Sequence, residues 1–366
     1  MSAKKWMAAA SSLIAFLYLP AHAETNSLKT GVDQRPFVPP EPFDWRGASD
    51  HVLKTTIWYP ADSSATETEL LIGPPGAPFF NAGKAAAGAK LSASHKKYPL
   101  VFLSHGTGGS AVQMAWLGRE LAARGYIVAA VAHPGNNGDA PHTLEGFSYW
   151  WERADDAKAV IDAMLGDPEF GPRIDAKRIG AAGFSLGGYT MIVLAGGITD
   201  TARQSAFCDT AGDIPACGNI AEFPGLRNQI RERKKSDPAF KAAFDGASKS
   251  RRDPRIRAVF AIAPALGPAF VPESLEHIAI PVEIAAGNAD TILPIKDNAE
   301  YFAAHIPHAT LDIVDGAGHY TFLLPCEEAG KKALPLYCTD ADGVDRQAVQ
   351  RQISKHAIDF FNVNLK

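Results

Sequence analysis

Ser185 stands in "RIGAAGFSLGGYT", residues 178 to 190, with Gly183 two positions before it and Gly187 two positions after. A serine hydroxyl becomes a nucleophile only when a base takes its proton and the backbone displays it to a substrate. The pattern G-x-S-x-G supplies the display: a sharp strand-to-helix turn in which the glycines leave room for a strained serine. An apolar run precedes the motif here and a second, "LGGYTMIVLAG", follows it, as such a turn requires. Five residues of this kind also arise by chance in glycine-rich chains, so the remaining groups of an acyl-transfer site must be found as well.

Those groups are a base, an acid that orients it, and donors for a developing oxyanion. "SHGTGG" (104 to 109) follows the apolar run "YPLVFLS" and can turn backbone N–H groups toward an oxyanion. Thr107 and Leu186 are the candidate donors, both through the backbone, and His105 reads as a residue that orders the turn rather than as the base. "AAGNADTILP" (285 to 294) ends an apolar run with Asp290 in a turn, and "VDGAGHYTF" (314 to 322) presents His319 on a glycine-containing loop. Of the eleven histidines, His319 alone follows the acid on such a loop. His305 and His308 flank a helix end and His356 sits in mid-helix, positions suited to surface or packing roles. Asp312 and Asp315 are rival acids, but Asp312 lies inside a strand pattern and Asp315 is very close to His319 in sequence. Serine, then aspartate, then histidine is the chain order of the strand–turn–helix nucleophiles.

These groups need a scaffold that brings distant turns together. Continuous apolar runs at 98 to 104, 126 to 132, 178 to 184, 256 to 263 and 280 to 287 read as strands buried on both faces. Helix-period stretches lie between them, at 111 to 125, 149 to 166 and 295 to 306, with a last helix from about 346 to 365. Strand alternating with helix predicts an α/β fold with a doubly wound, mostly parallel sheet. Residues 53 to 60 add a strand, 309 to 316 another, and 24 to 50 are Pro-rich and read as irregular. Residues 197 to 254 break the rhythm: they are polar, carry "RERKK" at 231 to 235 and resemble a cap-like insertion. The charge run reads as a solvated helix face.

The chain has 366 residues and a formal charge of −4, enough for one large domain and without the basic excess of a nucleic-acid binder. Lys4 and Lys5 precede the apolar stretch "WMAAASSLIAFLYL", and Ala21-His22-Ala23 follows as a small-x-small site. Residues 1 to 23 therefore read as a cleaved signal peptide, leaving 24 to 366 as the mature domain, secreted or periplasmic. The run is too short for a membrane anchor of roughly 20 residues. Export makes disulfides the default for Cys208, Cys217, Cys326 and Cys338. Three pairings are possible; Cys208 with Cys217 and Cys326 with Cys338 close short loops, and neither spacing suits a metal.

"SHGTGG", "GFSLGG", "GNADTILP", "GAGHYTFL" and "AHPGN" (132 to 136) together resemble the α/β-hydrolase superfamily. Within it the chain is similar to secreted bacterial proteins described as predicted dienelactone hydrolases, themselves similar to platelet-activating-factor acetylhydrolases. The resemblance runs from about residue 50 to the C-terminus. It implies the α/β-hydrolase fold, Ser185 as nucleophile, Asp290 as acid, His319 as base and an oxyanion turn at Thr107 and Leu186. Dienelactone hydrolases carry cysteine at the nucleophile position, so serine here points to other esters. The reaction implied is hydrolysis of a small carboxylic ester of short to medium acyl length, or of a short-chain phospholipid ester, without metal or organic cofactor. A serine peptidase on the same fold and an inactive exported binding protein are the readings from other classes. Phe207, Phe223 and Phe240 could line an acyl pocket or form the insertion's own core, and at most one of the adjacent Trp150 and Trp151 can face the site.

Overall fold

A computed structural model describes residues 27 to 212 and 214 to 366. The predicted signal segment, 1 to 23, lies outside the described residues. Ten strands form one sheet: β1 (Lys29–Phe37), β2 (Leu53–Ala61), β3 (Thr68–Ile72), β4 (Phe80–Ala87), β5 (Tyr98–Ser104), β6 (Ile127–Val131), β7 (Ile174–Phe184), β8 (Ile256–Ile262), β9 (Val282–Gly287) and β10 (Ala309–Val314). Their order is β10-β9-β8-β7-β5-β6-β2-β1-β4-β3. The six strands from β10 to β6 are parallel, whereas β2 runs antiparallel to both β6 and β1.

Alternation along β5 shows why its apolar run is continuous. Leu100 and Phe102 enter one core, while Val101 and Leu103 enter the other. Side chains of period two on a sheet covered on both faces leave no polar position. The helix Arg153–Gly166 covers the first face with Ala157, Val160, Ile161 and Met164. The helices Ala115–Ala123 and Arg346–Asn364 cover the second, with Leu117, Leu121, Ile353 and Phe361.

The sheet extends further than the apolar runs predict. The Pro-rich 24 to 50 region contains β1, paired along its full length with β2, and the stretch between β2 and β5 contains β3 and β4. β3 and β4 lie at the sheet edge with largely exposed or half-buried side chains, so neither carries a buried-strand pattern. The polar segment 197 to 254 does lie between two regular elements, the helix Leu186–Ala195 and β8. It folds into three helices, Thr201–Ala211, Leu226–Ser236 and Pro238–Ala243, with Cys208 bonded to Cys217. Cys326 is bonded to Cys338, so both short-loop pairings are present.

The parallel strands β5, β7, β9 and β10 all end on the same edge of the sheet, and each predicted functional turn follows one of them. In open α/β sheets this is the edge where ligands bind.

Candidate active site

Ser185 joins β7 to the helix Leu186–Ala195 with φ 55° and ψ −118°. A non-glycine residue in this region is strained, and the surroundings must hold it there. They do so through the Ser185 N–H, which donates to Ile262 O at 2.8 Å, and the Ser185 carbonyl, which accepts from Tyr189 and Ala265. The flanking glycines answer to packing. A Cβ on Gly187 would stand 2.1 Å from Ser104 O, and one on Gly183 would stand 2.5 Å from the Gly187 backbone. Only hydrogen at these two positions lets the helix start this close to β5.

His319 begins a short 3-10 turn, His319–Phe322, beyond β10. Its Nδ1 lies 2.6 Å from Asp290 Oδ2 and its Nε2 lies 3.0 Å from Ser185 Oγ. The Nδ1–H donates to the carboxylate, which leaves Nε2 as acceptor for the serine hydroxyl. Asp290 is itself fixed: its Oδ1 accepts the Ile292 and Leu293 N–H groups at 2.9 and 2.7 Å. Ser185, Asp290 and His319 are 7, 6 and 5 % exposed, so they meet at the edge of the core. The rival acids are elsewhere. Asp315 is exposed and accepts from Asn288, and Asp312 faces His356 at 2.7 Å. Such a chain of hydroxyl, imidazole and carboxylate can pass a proton from serine to histidine while the carboxylate steadies the imidazolium.

The turn after β5 leaves one donor unengaged. Gly106 N–H donates to Gln113 Oε1, Gly108 N–H to Asn136 Oδ1 and Gly109 N–H to Gly106 O, so within 106 to 109 only the Thr107 N–H has no acceptor among the described residues. Leu186 is the first residue of its helix, where the N–H has no intrahelical partner. Both residues line a cavity of about 1170 Å³ together with Ser185 and His319.

The walls of that cavity correct one reading. None of Phe207, Phe223 and Phe240 lines it. Phe240 packs with Tyr149, Trp151 and Phe244 in a small separate core, Phe223 meets Phe147 in a tilted ring contact at 4.9 Å, and Phe207 lines a surface pocket with Tyr301. Ile220, Leu226 and Ile230 supply the inserted segment's side of the cavity instead. Trp150 faces the cavity and Trp151 is buried, as adjacent helical positions require. In the "RERKK" run four residues are exposed, but Lys234 turns inward, its Nζ 3.3 Å from the Phe244 ring centre. Burial lowers the affinity of that ammonium for its proton, and Lys241 adds to the effect. On the opposite rim Tyr337 donates to Glu222 Oε1 at 3.2 Å. Burial and the Glu222 charge together raise the Tyr337 hydroxyl above the usual phenol range.

Sequence reasoning missed Gln113 and Asn136, which hold the turn after β5. Asn136 ends the quoted "AHPGN", the one signal that could have marked it. Among the described residues no cluster of three His, Cys, Asp or Glu is placed to hold a metal ion.

Residues 81 to 145 match the family model of platelet-activating factor acetylhydrolase, isoform II. That stretch carries β4, the turn after β5, β6 and Asn136. Among curated proteins none matches the chain. Among solved structures, a ferulic acid esterase from Streptomyces cinnamoneus superposes with a TM-score of 0.61 at 21% identity, over 94% of this chain and 92% of that one. The chain therefore shares the α/β architecture of that esterase, and over residues 81 to 145 it is similar to platelet-activating factor acetylhydrolase, isoform II.

Proposed function

We propose that Ser185 is the nucleophile, His319 the general base, Asp290 its orienting acid, and the Thr107 and Leu186 N–H groups the oxyanion donors. The observation that carries this reading is His319 bridging Ser185 and Asp290 at 3.0 and 2.6 Å on the floor of the cavity. As Ser185 Oγ attacks the ester carbonyl, its proton passes to His319 Nε2 and the carbonyl π electrons move to oxygen. The tetrahedral oxyanion collapses to an acyl-serine, and the alkoxide leaves with the proton from His319. Water, deprotonated by the same nitrogen, then attacks the acyl-serine; the acid departs and Ser185 recovers its proton. No step requires a group beyond these residues.

The substrate we infer is a carboxylic ester of short to medium acyl length, with a short-chain phospholipid ester within the same chemistry. A cavity of about 1170 Å³ exceeds the usual range of roughly 300 to 1,000 Å³ for small-molecule sites and supports an ester with bulk on both the acyl and alcohol sides. Segment 197 to 254 serves as a cap in this reading, because it walls the cavity opposite Ser185. Residues 1 to 23 serve as a signal peptide for export. Two disulfides, and the absence of any helix long and apolar enough to cross a membrane among the described residues, fit an extracellular protein.

Labelling purified protein with a fluorophosphonate, followed by peptide mass spectrometry and an acyl-ester panel run beside anilides and peptides, tests the reading. Label on Ser185 with turnover of esters is the expected result. Label elsewhere, or preference for anilide and peptide bonds, overturns it.

A further inference from the structure

Behind the turn after β5 lies a buried polar cluster that the proposed reaction does not touch. Arg153 opens the helix Arg153–Gly166 and is 1 % exposed. Its Nη2 donates to the His105 carbonyl and, at 3.3 Å, to Ser104 Oγ, and its Nη1 reaches Asn136 Oδ1 at 3.4 Å. Ser104 Oγ lies 2.9 Å from His133 Nε2, His133 Nδ1 lies 2.7 Å from Asp156, and Arg46 grips Asp156 at 2.7 and 2.9 Å. These are the residue types found at Ser185, yet Ser104, His133 and Asp156 have no exposed surface and no substrate can reach them. Burying a guanidinium is costly, and an apolar side chain would fill the same space at least as well. Arg153 is not even fully satisfied, since its Nε–H has no acceptor among the described residues.

The hydrogen bonds converge on the peptide units of the turn. In the 105–106 unit, Arg153 holds the carbonyl and Gln113 holds the N–H at 3.0 Å. In the next unit His105 Nδ1–H donates to Gly106 O at 2.6 Å, and Gly108 N–H, one unit further, donates to Asn136 Oδ1 at 2.8 Å. His105 Nε2 accepts the His133 N–H at 3.2 Å, which fixes the tautomer with hydrogen on Nδ1. A peptide unit is planar with C=O and N–H pointing in opposite directions. Gripping Gly106 O on the core side therefore turns the Thr107 N–H to the cavity side.

We propose that His105 and Asn136, tied together through Arg153, are positioning residues that aim the Thr107 N–H at the oxyanion. The inference rests on the reading of Ser185 as nucleophile. Its mark is a loss confined to the transition state, because misdirecting one donor leaves the ground-state ester bound as before.

A matched ester and thionoester separate this from a packing role, since a thiocarbonyl sulfur is a poor hydrogen-bond acceptor and gains little from the donor. In Asn136→Ala and in His105→Phe, ester kcat should fall roughly a hundredfold, with KM within about threefold and thionoester kcat little changed, so the ester-to-thionoester ratio collapses. Asn136→Asp retains the acceptor facing Gly108 and Arg153 but sets a carboxylate oxygen against Gly146 O in place of the amide donor, and should recover part of the ratio. Where the buried variants fail to fold, the half-buried Gln113→Ala frees the Gly106 N–H and should lower the ratio about tenfold. A wild-type ratio in any folded variant among Asn136→Ala, His105→Phe and Gln113→Ala overturns the proposal, as does an equal loss on both substrates. If wild-type protein neither hydrolyses esters nor takes fluorophosphonate on Ser185, the reading of the site has failed instead.

Discussion

Asp290 touches His319 with one carboxylate oxygen and spends the other on two backbone N–H groups of its own turn. The carboxylate is thus aimed before it orients anything. Asp290→Asn keeps an oxygen for the Ile292 and Leu293 N–H groups, so the turn should survive while the amide favours the wrong imidazole tautomer. We expect kcat to fall by up to roughly 10⁴ with the fold intact. Asp315→Asn, which meets only Asn288 and Gly316 surroundings on the surface, should stay within about threefold of wild type. The two variants assayed side by side decide between the acids.

Much of this site is legible in the sequence, and the reason is geometric. Ser185, Asp290 and His319 each sit one to five residues beyond a parallel strand, in turns marked by glycine, so strand pattern and turn chemistry point to the same places. β3 and β4 were not legible because edge strands need no apolar alternation, and β1 was hidden by Gly31 and Pro36. The buried charges were hidden for the opposite reason. "ERADDAK" has the composition of a solvated helix start, and nothing local shows that Arg153 and Asp156 face inward while Asp155 stays near the surface. That depends on which strand ends lie beneath the helix, a property of the assembled sheet.

The tight start of the helix after Ser185 predicts an asymmetry among glycines. Gly187→Ala places a methyl against the Ser104 and His105 carbonyls at 2.1 and 2.8 Å, and neither backbone can retreat without moving the turn after β5. A cost of about 3 kcal/mol or more in urea unfolding is expected, with most activity lost. Gly166→Ala, at a helix end with nothing within 4 Å, should be neutral or stabilising by up to about 1 kcal/mol. Equal stability of the two variants would contradict the packing argument.

Stability should also depend on pH through two buried histidines other than His319. Burial, then the Arg153 charge, holds the His105 and His133 imidazoles well below the usual histidine range, so both stay neutral in the folded protein. In the unfolded chain they titrate near 6.5. Below about pH 6.5 the unfolded chain binds two protons that the folded chain does not, and stability is lost as pH falls. Burial raises the Asp156 carboxyl, which works in the opposite direction. One carboxyl offsets at most one of the two protons, so these three groups together should contribute between about 1.4 and 2.7 kcal/mol per pH unit. Thermal unfolding followed from pH 8 to pH 5 measures it, and a Tm unchanged across that range would show that the pair is not held neutral.

The two disulfides should affect different kinetic constants. Cys326 and Cys338 close a segment that the rest of the fold also grips: Arg346 donates to Leu324 O and Tyr337 O at 3.0 and 2.9 Å, and Thr321, two residues after His319, donates to Asp340 at 2.8 Å. The Cys326→Ser, Cys338→Ser double variant should therefore lose on the order of 3 kcal/mol, from restored freedom of the unfolded chain. His319 keeps its other anchors, so kcat should drop only about tenfold, well short of the hundredfold that a shift of roughly 1 Å can cause. Adding Arg346→Ala should release a second anchor and deepen the kcat loss. Cys208 and Cys217 instead line the cavity together with Ile220 and Leu226, all within the inserted segment. Their double replacement loosens the wall that meets the substrate's apolar part, so KM and the preference for acyl length should change while kcat on the smallest ester holds. Kinetics on a graded ester series with both double variants, after mass spectrometry has verified the pairings in wild type, test the division. If the Cys208→Ser, Cys217→Ser variant loses kcat on the smallest ester as heavily as the other pair does, the wall and the base are mechanically one unit and the division is wrong.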